Sequence, residues 1–171
     1  MSSPNGGGAS PLPSAHPEGG VLPDPGGFDA HTHMDILGLP VDGVLAAAQA
    51  AGIHRVVNVG CDLPSSRWSV SAAAEYADVY AAVAIHPNDT SKVNDRRGEV
   101  LAEVAALAAS PKVVAIGETG LDYYRDWSPR SVQRDWFRAH IEIARSAGKA
   151  VMIHDREAHE DVLSILAEYA P

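Results

Sequence analysis

Residues 113–154 read VVAIGETGLDYYRDWSPRSVQRDWFRAHIEIARSAGKAVMIH, and this stretch decides the fold. Val113 to Ile116 is a short apolar run of the kind that forms a buried strand. Val132, Trp136, Phe137, His140, Ile141 and Ala144 then recur at helical spacing. Gly148 stands where that helix should end, and Ala150 to Ile153 is a second apolar run. Strand, helix and strand in this order make a βα unit feeding a parallel neighbour.

The same rhythm extends in both directions. Towards the N-terminus, strands are expected at Gly27 to Ala30, Arg55 to Gly60 and Val79 to Ile85. Helices are expected near Val41 to Ala51, Ser65 to Ala77 and Arg97 to Ala109, with Pro64 near the start of one and Gly52 just past another. Beyond Ile153, a last helix carries Val162, Leu163, Ile165, Leu166 and Tyr169. Five βα units fill the 145 residues from Gly27 onward, 29 residues each, close to the spacing of an eight-unit barrel of roughly 250 residues. A five-stranded open sheet is the competing complete fold. Met1 to Gly26 holds six of the twelve prolines and few bulky apolar groups. Such a segment buries too little surface to offset its ordering entropy, so a disordered tail is expected, with residues 27–171 forming the folded part.

Composition narrows the function. No apolar run approaches the roughly 20 residues of a membrane span, and the N-terminus lacks the basic and apolar regions of a secretory signal, which points to the cytoplasm. Cys61 is the only cysteine, which excludes intramolecular disulfides and thiolate metal clusters. The formal net charge of −9 argues against a broad basic surface for nucleic acid, but bound divalent cations would neutralise the field locally. Arg125, Arg130, Arg134, Arg138, Arg145 and Lys149 cluster in one stretch, either as a phosphate-facing strip or as a solvated helix face interleaved with Asp135 and Glu142.

The chemistry-bearing residues stand at strand ends. The first strand runs into Asp29-Ala30-His31-Thr32-His33. Side chains two apart share a face, so His31 and His33 can reach one metal ion. Asp29, one step deeper, can orient an imidazole or touch the metal. The fourth strand leads into Gly117-Glu118-Thr119-Gly120-Leu121-Asp122, where the glycines suggest a tightly turned backbone and the two oxygens of Glu118 can serve two cations. His154 ends the fifth strand at the equivalent place. His86, after the third strand, either orients water or substrate phosphate or is fixed in a turn by Pro87. Arg156 either contacts phosphate or pairs with Glu160. Asp122, with His86 a catalytic candidate, opens a loop to Pro129 in which Tyr124 and Trp127 stack on a base or pack over the rim. His54, His140 and His159 read as structural, His140 as a hydrogen-bonded core residue. Nothing basic beside Cys61 argues for an activated thiolate, and no phosphate-cradling glycine loop or dinucleotide fingerprint is present.

Asp29 to His33, Ile85-His86-Pro87, Gly117 to Asp122 and Ile153-His154-Asp155-Arg156 resemble, in order and spacing, the TatD family of metal-dependent deoxyribonucleases. Gly120 to Tyr124, Gln133 and Phe137 strengthen the likeness, which covers Phe28 to Tyr169. The resemblance implies a TIM-like (β/α) barrel, two divalent cations (Mg, Mn or Zn), and DNA as substrate with no obligate protein partner. His31 and His33 would hold one cation, Glu118 would bridge both, and His154 would hold the second. The family continues into three further units with another histidine and an aspartate ligand, so this chain is expected to be a fragment, truncated after the fifth unit and with an incomplete metal shell. Two alternatives stand beside the deoxyribonuclease: an amidohydrolase-like or aminoacyl-ester hydrolase on the same barrel, and a catalytically incomplete fragment. Amidohydrolases share the His-x-His but use a carboxylated lysine where this chain has Glu118.

Overall fold

A computed structural model describes residues 26–170, so all but Gly26 of the stretch expected to be a disordered tail lies outside the described residues. The five βα units are β1 (Gly27–Thr32) with α1 (Val41–Ala50), β2 (Ile53–Val59) with α2 (Leu63–Glu75), β3 (Val79–Val83) with α3 (Arg97–Ala108), β4 (Val113–Asp122) with α4 (Arg130–Ala147), and β5 (Ala150–Arg156) with α5 (His159–Ala167). Short 3-10 stretches cover Met34–Ile36 and Pro87–Arg96. Among the described residues no helix is long and apolar enough to cross a membrane.

Every pairing is parallel and the strand order is β1-β2-β3-β4-β5. A doubly wound sheet reverses its strand order at a switch point. Here each right-handed crossover adds the next strand on the same side, so the helices stay on one face and the sheet curls into a half-barrel. The burial follows that plan. Val79, Ala81 and Val83 of β3 pack with Val100 and Val104 of α3 and Trp136 of α4 on the helix-covered face. Val57, Val59, Ala82 and Ala115 form a separate cluster of strand residues alone, on the inner face of the curl. Leu121, Phe137, Ile141, Val162 and Ile165 join α4 and α5 to β4.

Local signals explain the helix ends. Asp62 caps α2, its carboxylate accepting the Ser65 N–H at 2.8 Å while the Ser65 hydroxyl reaches back, a reciprocal cap that satisfies two otherwise orphan donors. Gly148 ends α4 at φ 62°, the left-handed cap that glycine adopts without strain. The strands near the rim depart from the expected limits. β4 runs to Asp122 and β5 to Arg156, because Gly120 pairs with His154 and Asp122 with Arg156 in an unbroken ladder. These polar residues carry no apolar periodicity, and only the neighbouring strand makes them extended.

His140 of α4 ties the rim together from behind. Its Nε2 accepts the Ile85 N–H at 3.3 Å, so the proton of the neutral ring sits on Nδ1 and is donated to the Thr119 hydroxyl at 2.8 Å. The side chain is fully buried, and burial pushes its pKa from 6.5 down to about 3. A histidine buried neutral must be charged on unfolding in acid, so its contribution is complete above pH 6.5 and is lost as the pH falls towards 3. The stability difference between the wild-type chain and His140→Gln, read from urea unfolding, should therefore shrink by about 1.4 kcal/mol per pH unit between pH 6 and 4. A difference independent of pH would show that His140 is not held neutral.

Candidate metal centre

The end of β1 delivers two imidazoles to one point. His31 Nε2 lies 3.2 Å from His33 Nε2 and 3.4 Å from Glu118 Oε2. His33 stands just past the strand, where its Nδ1–H donates to the Val59 carbonyl at 2.9 Å. That bond fixes the tautomer and leaves the Nε2 lone pair facing Glu118 and His31, the arrangement metal-bound histidines usually show. Asp29 turns elsewhere, its carboxylate accepting the His31 backbone N–H at 3.0 Å.

Glu118 sits between this pair and His154. In β4, Ile116 pairs with Val151 but Thr119 with Ile153, so one extra residue is inserted and the bulge re-aims the Glu118 side chain. The glycines on either side belong to the strand, and the tightly turned backbone that the sequence suggests takes the form of this bulge. A Cβ at Gly117 would collide with Met152, and one at Gly120, whose φ is +140°, with the His154 carbonyl oxygen. Glycine is thus required for β5 to come close enough for His154 Nδ1 to meet Glu118 Oε1 at 2.6 Å.

His154 faces a second carboxylate. Its Nε2 lies 3.1 Å from Asp122 Oδ2, and Asp122, only 1% exposed, also accepts the Asn88 amide and the Arg125 N–H, both at 2.8 Å. Gln133 brackets the Asp122 backbone from α4, accepting its N–H at 2.8 Å and donating to its carbonyl. Asp122 is therefore placed to orient His154. Burial opposes charge on His154, but Glu118 and Asp122 on its two nitrogens outweigh it and raise the pKa. Burial also opposes charge on Glu118, and there the hydrogen bond from His154 prevails and holds the carboxyl below its usual range.

His86 Nε2 lies 3.3 Å from His154 Nδ1. Its Nδ1 accepts the Asn88 N–H at 3.2 Å, so the neutral ring presents an N–H towards the centre. Burial, with His154 nearby, lowers its pKa and keeps it neutral. Burial and then Glu118 push the Cys61 thiol up to about 12, so it stays protonated.

The donor atoms of His31, His33 and Glu118 lie within 4.8 Å of one another, as do those of His86, Glu118 and His154. Metal–ligand bonds of about 2.0–2.2 Å set neighbouring donors about 3–4 Å apart, so imidazole and carboxylate here match a divalent cation in both geometry and chemistry. The tautomer of His86 makes it a hydrogen-bond donor beside the second group rather than a third lone pair.

An open groove of about 590 Å³ runs over the centre, walled in part by Arg125, Trp127 and Arg156. Arg156 makes no ion pair with Glu160; its guanidinium lies 4.0 Å over the Tyr124 ring. Tyr124 and Trp127 are 59% and 63% exposed, so neither is buried by packing at the rim. Arg130, Arg134, Arg138 and Arg145 meet Asp126, Asp161, Glu168 and Glu142, which makes that stretch a salt-bridged helix face and not a phosphate strip. His140 is the hydrogen-bonded core residue expected, and His159 is an exposed partner of Asp155. Asn88 carries no signal in the sequence and Gln133 enters there only through the family likeness, because their partner Asp122 is brought to them only by the fold.

The family model for TatD related DNase matches residues 28–171. The uncharacterized metal-dependent hydrolase TatD of Mycobacterium tuberculosis is 44% identical over 155 residues, 84% of this chain and 57% of the relative. The 3'-5' ssDNA/RNA exonuclease TatD of Klebsiella pneumoniae is 35% identical over 125 residues, 73% of this chain and 46% of the relative. Among solved structures, the TatD homologue YJJV of Escherichia coli superimposes with a TM-score of 0.75 at 26% identity, over 84% of this chain and 56% of that one. The chain spans about half the length of the curated relatives it matches. With the half-barrel and the histidine–glutamate centre at its rim, these matches show that the chain belongs to the TatD-related DNase family.

Proposed function

We propose that the chain carries the metal-holding part of a hydrolase that cleaves phosphodiester bonds in nucleic acid, DNA foremost. The observation that carries this reading is the place of Glu118, whose carboxylate belongs to both donor groups. His31, His33 and Glu118 would hold one divalent cation, and Glu118 with His154 the second. Cations held there would polarise a phosphodiester and bring the pKa of a water towards neutrality.

The chain's own residues prepare that chemistry. The Val59 carbonyl keeps the His33 proton off the nitrogen that faces the centre. Asp122 retains the proton on His154 Nε2, so loss of the Nδ1 proton frees that nitrogen for a cation. Metal affinity should accordingly weaken as the pH is lowered. His86 offers its Nε2–H to a phosphate oxygen, and Arg125 and Arg156 stand on the groove wall with donors that match phosphate. The names of the family and of the Klebsiella pneumoniae relative support nucleic acid as substrate, and Glu118 in place of a carboxylated lysine leaves nothing to favour an amide.

The test is hydrolysis of an end-labelled single-stranded oligonucleotide in the presence of Mn²⁺ or Mg²⁺. Glu118→Ala should lower the rate at least ~100-fold, since it removes the shared ligand. An unchanged rate would remove the basis of the reading.

A further inference from the structure

Six arginines of the described residues, Arg67, Arg96, Arg130, Arg134, Arg138 and Arg145, each meet a carboxylate. The two on the groove wall do not. Arg125 lies 4.7 Å over the Trp127 ring, and Arg156 lies 4.0 Å over the Tyr124 ring. Stacking restrains a guanidinium while leaving its in-plane N–H donors unused. Each ring has one such partner and remains more than half exposed, Trp127 at 63% and Tyr124 at 59%. A large exposed aromatic costs a soluble protein burial it could otherwise have had, and two within four residues, both beside the same groove, ask for an occupant.

Charge identifies that occupant. The chain is acidic, with a formal net charge of −9, and its paired arginines are neutralised locally. Arg97 also stacks without an ion pair, but on the buried Trp136 and with a bond to the Asp135 carbonyl. At the groove wall Arg125 and Arg156 stand without a carboxylate partner beside exposed rings. That combination suits a polyanion whose flat rings are accessible, which a single strand offers and a duplex keeps stacked within itself. Trp127 and both arginines share the groove with His86, Glu118 and His154, so a strand held there is led to the candidate metal centre.

We propose that Trp127 is a stacking platform for an unpaired base of a single-stranded nucleic acid, with Arg125 and Arg156 gripping the adjoining phosphates and Tyr124 fixing Arg156 in place. The proposal rests on the hydrolase reading for its setting but not for its measurement. Stacking recognises a base of any sequence, so the platform selects single strands without reading their sequence. It also gives the loop from Tyr123 to Ser128 a task in substrate choice that the metal ligands do not perform.

The test uses the chain in EDTA, so that nothing is cleaved, with a fluorescent oligothymidylate read by anisotropy. A matching strand carrying abasic positions supplies phosphates without bases. Trp127→Ala should weaken binding of the normal strand about tenfold or more and leave the abasic strand unaffected, while Trp127→Phe restores most of the loss. Arg156→Ala should weaken both strands alike and reduce the salt slope by about 0.7. Equal affinity of wild type and Trp127→Ala for the normal strand overturns the platform, as does a wild type that binds normal and abasic strands equally. The substituted residues are exposed, and circular dichroism checks that each variant folds. Failure of the hydrolase reading would instead appear in the Glu118→Ala cleavage assay, which leaves Trp127 untouched.

Discussion

A single carboxylate holds this structure's functional end together. Glu118 has one oxygen 2.6 Å from His154 and the other 3.4 Å from His31. Among the described residues it alone belongs to both donor groups, joining the histidines at the end of β1 to the histidine of β5. The two strands lie at opposite edges of the sheet, so the curl of the half-barrel is what brings their ends within reach of one side chain. A flat sheet of the same five strands would leave them strands apart, each about 4.8 Å from the next. The barrel-like strand order and the candidate centre are therefore one fact seen at two scales.

Placing a carboxylate there asks much of β4. The bulge turns the side chain inward, two glycines let β5 approach closely, and the neutral, fully buried His140 fastens Thr119 to the end of β3. Around His154 the same logic repeats: Asp122 orients the ring, and Asn88 and Gln133 hold Asp122. Buried polar groups in such a chain are costly unless each is satisfied, and here nearly all of them are. The rim is consequently specified by a hydrogen-bond network, whereas the body of the fold is specified by apolar packing between β3, α3 and α4.

That difference explains what could be read from the residues. The five strands and five helices were legible because Val, Ile and Ala recur with the strand or helix period, and Val132 to Ala144 show it most clearly. His31, His33, Glu118 and His154 were legible as metal-type residues at strand ends, and they converge. The extension of β4 to Asp122 and of β5 to Arg156 was hidden, since Glu118, Thr119 and Asp122 have no apolar period and become extended only by pairing with a neighbour. Pro87–Arg96 is a polar stretch whose 3-10 form depends on docking against α4, and no local pattern announces it. The stacking of Arg156 on Tyr124, rather than pairing with Glu160, follows from the position of a loop that local sequence does not set.

If Glu118 joins two half-sites, they cannot respond to its loss separately. Titration calorimetry of Mn²⁺ into the wild-type chain and into Glu118→Gln, at neutral pH, measures this. Two equivalents are expected for the wild type, with both affinities reduced about 10–100-fold in the variant. A variant that keeps one site at wild-type affinity, or a wild type that binds a single ion, would contradict the shared role of Glu118.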